Sequence, residues 1–183
     1  MVTGAVTAQI LVVMGVCGCG KTTLGEALAE RLDLPFLEGD EYHPRANVEK
    51  MASGVPLSDA DRWPWLDAFG AALADHARRR GGAVGACSAL RRIYRERLAA
   101  AAGLPVRYLC LTAQREAIAA RMRTRQDHFM PVSLLDSQLA ILEVPAPDEP
   151  AIVLSSTAPL SETVQLALAF SAQSKRADAP QPP

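Results

Sequence analysis

The chain has 183 residues and a formal net charge of −1, and 49% of its residues are hydrophobic. This length suits one domain of ordinary size, and the near-zero charge excludes a general electrostatic field for nucleic acid. No stretch reaches the length of a membrane span, and no secretory signal is recognisable. We therefore expect a cytoplasmic protein that binds neither nucleic acid nor a membrane.

Five short apolar runs predict strands, and helical patterns of hydrophobic residues lie between and after them. The predicted strands are 10–14, 36–38, 83–87, 106–111 and 152–154. The predicted helices are 22–32, 47–53, 64–80, 89–102, 113–125, 132–142 and 160–172. This alternation is typical of an α/β fold whose parallel sheet is covered by helices on both faces. The polar, proline-rich segment 174–183 is expected to be a disordered tail, which leaves residues 1–173 as a single domain.

The segment MGVCGCGKTT, residues 14–23, gathers three glycines and a lysine directly after the first predicted strand. It contains the phosphate-loop pattern G-x-x-x-x-G-K-[ST], matched at every fixed position. In such a loop, backbone N–H groups and the start of the next helix face the phosphates of a nucleotide. We expect Lys21 to reach the outer phosphates and the Thr22 hydroxyl to hold Mg²⁺. The predicted nucleotide-binding residues are Gly15, Val16, Cys17, Gly18, Cys19, Gly20, Lys21, Thr22 and Thr23.

Two polar residues follow the second predicted strand in the segment FLEGDEYHP. Ligands of open α/β sheets bind beyond the carboxyl ends of the strands, so Asp40 should lie beside the phosphate loop. A carboxylate there can accept a proton from an attacking hydroxyl or help to hold Mg²⁺, and a helix-cap or turn role is the alternative. His43 precedes Pro44 and can donate to a substrate oxygen or be purely structural.

The segment EGDEYHPRANVEKMASGVPLSDADRWPWL, residues 38–66, closely resembles the substrate segment of bacterial gluconate kinases of the thermoresistant gluconokinase type. The phosphate loop and the segments CSALRRIYRERL and RTRQDHFMPVSLLDSQLAILEVP are also similar to that family, so the resemblance runs from about residue 10 to about residue 150. It implies ATP-dependent phosphorylation of D-gluconate on its terminal hydroxyl, which gives 6-phospho-D-gluconate. It also implies a homodimer and a three-layer P-loop kinase fold of the shikimate-kinase or nucleoside-monophosphate-kinase variety. Such a fold has a five-stranded parallel sheet and a mobile lid, here at about 125–133.

A sugar acid needs cations for its carboxylate as well as a base near one hydroxyl. Four basic residues of the matching segments are candidates for this carboxylate, namely Arg45, Lys50, Arg62 and Arg91. Planar, bidentate recognition favours arginine over lysine, and we rank Arg62 first and Arg91 second.

Two further arginines share one helical face, because Arg121 and Arg125 are four residues apart. By similarity to the kinase fold, Arg121 would lie along the adenine and Arg125 would contact the transferring phosphate. The alternative is that these two arginines only form a charged, solvent-exposed stripe on the helix.

The sequence departs from the family pattern in ways that bear on the fold and the site. Gly85 interrupts the third strand, which we expect to weaken it slightly. The fifth strand continues as IVLSSTAPL without the aspartates of a D-x-D-x-P-L ending, which puts contacts from that region to the adenine in doubt. Apart from the family comparison, the third strand ends in Cys87 and Ser88 and so lacks the Walker B acid found in many phosphate-loop proteins. Mg²⁺ would therefore depend on Thr22, nucleotide oxygens, water and Asp40.

The four cysteines lack C-x-x-C spacing and neighbouring histidine pairs, so neither zinc nor a disulfide framework is expected. Cys17 and Cys19 stand where serines are common in the family loop. A helix N-terminus and Lys21 favour anions, which would lower both thiol pKa values and make the loop redox-sensitive whenever nucleotide is absent. The alternative is that cysteine replaces serine only as a small residue.

Other functions are open to a chain with a phosphate loop. A kinase of another small hydroxy-acid or of a nucleoside monophosphate is the nearest alternative, but G-D-x-x-H-P is not general among those enzymes. A GTP-dependent switch would need an N-K-x-D motif, and Asn47, the one asparagine, lies in NVEK instead.

Overall fold

The described part of the chain comprises residues 8–124 and 132–177 of a computed structural model. Its strands are β1 Gln9–Met14, β2 Phe36–Glu38, β3 Gly82–Ala86, β4 Val106–Thr112 and β5 Ala151–Ser155. Its α-helices are α1 Lys21–Leu32, α2 Arg45–Ala52, α3 Asp59–Arg80, α4 Arg92–Ala102, α5 Arg115–Thr124, α6 Val132–Ile141 and α7 Leu160–Ala177. A short 3₁₀ helix, Gly39–Tyr42, follows β2. No described helix is both long enough and apolar enough to cross a membrane.

All five strands are parallel, in the order β2-β3-β1-β4-β5, with β1 at the centre. The alternation of side chains along β1 produces two cores. Ile10, Val12 and Met14 pack in the cluster that contains α3 and α4 residues, while Leu11 and Val13 pack with residues of α1, α5, α6 and α7. The predicted three-layer α/β fold with a five-stranded parallel sheet is therefore confirmed.

Close packing of α3 on the sheet explains the glycine in β3. A Cβ added at Gly85 would lie 2.7 Å from a ring carbon of Phe69 and 2.9 Å from a methyl carbon of Leu73. Gly85 also keeps its parallel register with Val12 and Leu37. The small size of Gly85 thus lets α3 pack close to the sheet. The expected weakening of the strand is therefore accompanied by closer packing of α3.

Several helix boundaries differ from the sequence-based prediction. Helix α3 begins at Asp59 instead of residue 64, because Ser58 and Asp61 form a capping box at its start. Pro64 consequently lies inside the helix. Helix α4 begins three residues later than predicted, since Ala89 has a left-handed φ of 39° that an α-helix cannot contain.

Two predicted segments extend beyond the described residues. Of the expected lid at 125–133, residues 125–131 lie outside them, and helix α6 begins at Val132. Helix α7 continues to Ala177, so residues 174–177 are helical where a disordered tail is predicted. Residues 178–183 lie outside the described part.

A buried ion pair joins α4 to the segment before β5. The Arg95 guanidinium donates to both carboxylate oxygens of Glu149, at 2.6 and 2.8 Å, and the two side chains are 2% and 8% exposed. The remaining nitrogen, Nη1, donates to the carbonyl oxygens of Ala89, Leu90 and Glu143. One side chain thus fixes the segment after β3, the end of α6 and the approach to β5.

Replacing Glu149 with Gln should lower the free energy of unfolding at pH 7 by about 3 kcal/mol, because the Arg95 charge stays buried without its counter-ion. The hydrogen bonds from Arg95 hold the pKa of Glu149 below its ordinary value of 4.5. The stabilisation is therefore present above pH 4.5 and is lost as the pH falls through the lowered pKa. Urea unfolding of both proteins at several pH values measures this difference.

The matched control is Glu49→Gln, which removes the exposed pair between Arg45 and Glu49. This change should leave the free energy of unfolding unchanged within error. A Glu149→Gln variant that is as stable as the wild type at pH 7 would contradict the importance of the buried pair.

Candidate active site

The phosphate loop connects the buried end of β1 to the first turn of α1. Gly15 has a φ of 139°, and a Cβ there would lie 2.6 Å from the Leu111 carbonyl oxygen, so only glycine fits. The Lys21 side chain is half-buried, and its ammonium donates to the Val16 carbonyl oxygen at 3.1 Å. Burial by itself lowers the pKa of Lys21, but the neighbouring Cys19 and Asp40 raise it, and the net shift is upward. Lys21 therefore carries its charge at neutral pH.

Two cavities flank the phosphate loop. The first, of about 330 Å³, is bounded by the loop, the end of β2, the 3₁₀ helix, α3 and α6. The second, of about 360 Å³, is bounded by the loop, α5 and the segment after β5. The predicted site residues that line the first cavity are Cys17, Gly18, Gly20, Lys21, Thr22, Thr23, Asp40, His43 and Arg62. Those that line the second are Gly18, Cys19, Gly20, Thr23 and Arg121.

Two carboxylates stand at the end of β2 in the first cavity. Asp40 lines the cavity as the sequence predicts, and Glu38 lies beside it. The Thr22 hydroxyl donates to Glu38 at 2.7 Å. Burial raises the pKa of Glu38, and the hydrogen bond from Thr22 opposes that shift. Sequence analysis missed Glu38, although its place as the last residue of the strand before Asp40 was the available signal.

The imidazole of His43 lies on the wall of the same cavity. It stacks on the Trp65 indole, with ring centroids 3.9 Å apart and an interplanar angle of 19°. Trp65 is itself buried and donates from its indole nitrogen to the Gly39 carbonyl oxygen at 2.7 Å. Burial lowers the pKa of His43 to about 4, and the Arg62 charge acts in the same direction while Asp40 opposes it. The ring is therefore neutral at pH 7.

Arg62 is the candidate cation that reaches the first cavity. Its side chain is buried, its Nη2 donates to the Leu57 carbonyl oxygen at 3.2 Å, and its guanidinium lies 5.1 Å from the centroid of the Tyr94 ring. Its Nε is the one buried side-chain nitrogen or oxygen in the described residues that has no hydrogen-bond partner. A guanidinium on a cavity wall is a favourable site for an anion.

The other three candidate cations do not line this cavity. Lys50 donates to both carboxylate oxygens of Asp61 at 2.9 Å, and the exposed Arg45 pairs with Glu49 at 2.8 Å. Arg91 donates to Asp59 and to Glu143, each at 3.1 Å. Neighbouring carboxylates compensate the charges of these three residues. They therefore differ from Arg62, which lines the first cavity.

The second cavity is lined by Arg121, which the sequence analysis assigned to the adenine. Arg121 donates to the carbonyl oxygen of Ser156 at 2.6 Å and to its hydroxyl at 3.3 Å. Ser156 and Ala158 line this cavity, so the segment after β5 reaches it without the aspartates of the family pattern. Arg125 lies outside the described residues.

An unpredicted contact joins α6 to the phosphate loop. The backbone N–H of Cys17 donates to the side-chain oxygen of Gln138 at 2.7 Å, and Gln138 lines the first cavity. The sequence carried no periodic or motif signal for this contact, because the two residues are far apart in the chain. Helix α6 therefore contacts the loop directly.

The prediction that the two loop thiols have lowered pKa values is wrong. Cys17 and Cys19 are only 6% and 1% exposed, and burial raises both pKa values more than Lys21 lowers them. Burial likewise raises the pKa of Cys87 to about 12 and that of Cys110 to about 11. All four thiols are free, and the structure supports the alternative that the loop cysteines serve as small residues.

Comparison with known proteins identifies the family. A family described as AAA domain matches residues 10–145. A gluconokinase of Gluconobacter oxydans is 51% identical over 147 residues, which are 80% of this chain and 82% of that protein. The chain belongs to the gluconokinase family. The resemblance to gluconate kinases is thereby confirmed, and so is the assignment of the chain to the P-loop kinases.

Solved structures agree with this gluconokinase assignment. A gluconokinase structure from Sinorhizobium meliloti matches with a TM-score of 0.80 and 44% identity, covering 91% of this chain and 93% of that one. A shikimate kinase from Bacteroides thetaiotaomicron matches with a TM-score of 0.62 and 17% identity, covering 89% and 98%. The second likeness shows a shared fold, as the gluconokinase resemblance implies.

We expect all four thiols to react slowly with iodoacetamide at pH 7, because burial keeps them protonated and inaccessible. Mass spectrometry of the native protein over time should find little alkylation, whereas protein unfolded in guanidinium should be alkylated at all four positions. A Cys17→Ser, Cys19→Ser variant is the control for the loop. Rapid alkylation of the native wild type that this variant abolishes would restore the reactive-thiol hypothesis.

Proposed function

We propose that this chain transfers the γ-phosphoryl group of ATP to the terminal hydroxyl of D-gluconate, which yields 6-phospho-D-gluconate and ADP. The observation that carries the proposal is the Arg62 guanidinium on the wall of a cavity that Asp40 and the phosphate loop also line. An acceptor with a carboxylate at one end and a hydroxyl at the other matches a cation and a base on the walls of one cavity.

The residues around the reacting oxygen suggest how the transfer proceeds. The Asp40 carboxylate accepts the proton of the gluconate hydroxyl as that oxygen forms its new bond to phosphorus. The bond between phosphorus and the bridging oxygen of ADP breaks, and its electron pair leaves with ADP. The Lys21 charge and the backbone N–H groups of the loop stabilise the negative charge on the phosphoryl oxygens.

A magnesium ion is part of the proposal, and the oxygen groups of the cavity fit it. The Thr22 hydroxyl and the Glu38 carboxylate are 2.7 Å apart and both line the first cavity. They would hold Mg²⁺ together with water and nucleotide oxygens, since this ion prefers a few carboxylate and hydroxyl ligands and retains much of its water. Bound there, Mg²⁺ would neutralise part of the phosphate charge. Glu38 thus supplies an acid that the end of β3 lacks.

The second cavity is proposed to receive the adenine of ATP. Arg121 lies on its wall, and Gly18, Gly20 and Thr23 line both cavities, so a nucleotide could extend from one to the other over the loop. Contact of Arg125 with the transferring phosphate, homodimer formation and a cytoplasmic location are proposed on the family resemblance. Four free thiols are in keeping with a reducing compartment.

A coupled assay of ADP release over a panel of acceptors should give the highest kcat/KM with D-gluconate. Other sugar acids, shikimate and nucleoside monophosphates make up the rest of the panel. Lys21→Ala should reduce kcat/KM by about a thousandfold, because the transferring phosphoryl group loses its principal cation. Turnover of another acceptor with gluconate left unphosphorylated would refute the substrate assignment.

Two substitutions should separate binding of gluconate from chemistry. Arg62→Lys should raise the KM for gluconate by about tenfold with a small change in kcat, since lysine cannot reproduce the planar contact. Asp40→Asn should lower kcat by about a hundredfold with the KM for ATP nearly unchanged, since it removes the base. Steady-state kinetics with each substrate varied in turn measures both effects.

Controls for these substitutions are Arg79→Lys and Glu41→Gln, which make the same kind of change at exposed positions outside the cavity. Both should have wild-type kinetics. A normal kcat in Asp40→Asn would remove Asp40 from the proton transfer, and a normal KM in Arg62→Lys would move the carboxylate site elsewhere.

A further inference from the structure

The orientation of the His43 ring is fixed from two directions. The Trp65 indole lies against its face, which restricts the plane of the imidazole. At its edge, the side-chain nitrogen of Asn47 lies 3.4 Å from Nδ1. Asn47 is itself only 3% exposed, so no bulk water competes for its amide.

The Asn47 amide has a single reasonable orientation. Its Nδ2 donates to the backbone carbonyl oxygen of Asp61 at 2.8 Å. A carbonyl oxygen can only accept, so the amide oxygen cannot take that place without two acceptors facing each other. The same nitrogen therefore directs its second hydrogen at Nδ1 of His43. A ring nitrogen that accepts a hydrogen bond carries a lone pair, and a neutral imidazole then has its proton on Nε2.

We infer that Asn47 is a positioning residue that holds His43 in the Nε2–H tautomer, so that His43 donates to the acceptor hydroxyl of the substrate. His43 lines the first cavity together with Asp40, and Nε2 has no hydrogen-bond partner among the described residues. The role of this donor rests on the proposed function, whereas the tautomer follows from the contacts of Asn47 alone.

The tautomer matters because the acceptor hydroxyl has only one proton. With a proton on Nε2, His43 donates to the hydroxyl oxygen and leaves the hydroxyl proton for Asp40. With a lone pair on Nε2, the ring would accept that proton in competition with Asp40, and the hydroxyl oxygen would turn away from the phosphoryl group. Asn47 thus acts on catalysis through His43, without contact to the reacting atoms.

The tautomer can be measured without any substrate. Long-range ¹H–¹⁵N correlation spectra of the ligand-free wild type at pH 7 should show His43 protonated on Nε2 and unprotonated on Nδ1. The exposed His76 on α3 provides an internal reference. A wild-type His43 that carries its proton on Nδ1, or on both nitrogens, would overturn the inference whatever the substrate is.

The decisive variant is Asn47→Asp, which replaces the donor with an acceptor of the same shape and also removes the hydrogen bond to the Asp61 carbonyl oxygen. Its carboxylate should keep a proton on Nδ1 and raise the pKa of His43. Nε2 then loses its proton as the pH rises. The pH profile of kcat/KM for gluconate should therefore acquire a new descending limb. At the alkaline end, kcat/KM should be about tenfold lower than in the wild type. The other charged groups that act on the ring, Asp40 and Arg62, are unchanged in this variant.

A His43→Gln background separates this mechanism from a general effect of the added charge. A glutamine side chain has no tautomers, so the new limb should be absent from the Asn47→Asp, His43→Gln protein, while uniform repulsion of gluconate would remain. Thermal unfolding over the same pH range checks that each variant is folded. A limb that persists in the double variant, or that never appears in Asn47→Asp, would overturn the inference. If the wild type has the Nε2–H tautomer and does not phosphorylate gluconate, the proposed function fails and the Asn47–His43 assignment stands.

Discussion

Strand β1 is hydrogen bonded to a parallel neighbour on each side, β3 and β4, and the position of the phosphate loop depends on this pairing. Residues Ile10–Met14 are wholly buried between two layers of helices. The strand cannot shift without breaking both ladders and both cores, so its carboxyl end is a rigid origin for Gly15 and the residues after it. The start of the loop is thereby anchored by the sheet.

The same parallel arrangement brings the rest of the site to one edge of the sheet. Since the carboxyl ends of β2 and β3 lie at the same edge of the sheet as that of β1, Glu38, Asp40 and Ser88 reach the cavity that the loop borders. The segment after β5 reaches the second cavity by the same rule. A phosphoryl donor and its acceptor can therefore meet over the phosphate loop, whose glycines Gly18 and Gly20 line both cavities.

Buried polar contacts then determine which side chains are available for ligands. Carboxylates neutralise Arg91, Lys50 and Arg95, and only Arg95 among these has its partner in the core. Arg62 is buried yet keeps an unsatisfied nitrogen. Burial also reverses the expectation for the loop thiols, because the cost of a buried thiolate exceeds the attraction of Lys21.

The sequence alone was sufficient for the local chemistry and the order of the elements. Continuous apolar runs and helical spacing predicted each strand and α-helix, though not the 3₁₀ helix after β2, and the loop motif predicted the nucleotide site. These signals lie within short windows of the chain. The predicted starts of α3 and α4 were wrong, because a capping box at Ser58 and the left-handed backbone of Ala89 determine them.

Tertiary structure decided what depends on contacts between distant segments. It placed Arg62, alone among the four candidate cations, on the wall of the first cavity, added Glu38 to the magnesium ligands we propose, and joined Gln138 to the loop. It also determined the burial of Cys17 and Cys19, on which their pKa values depend. Desolvation and hydrogen-bond partners are set by packing across the whole fold, and no local pattern of residues encodes them.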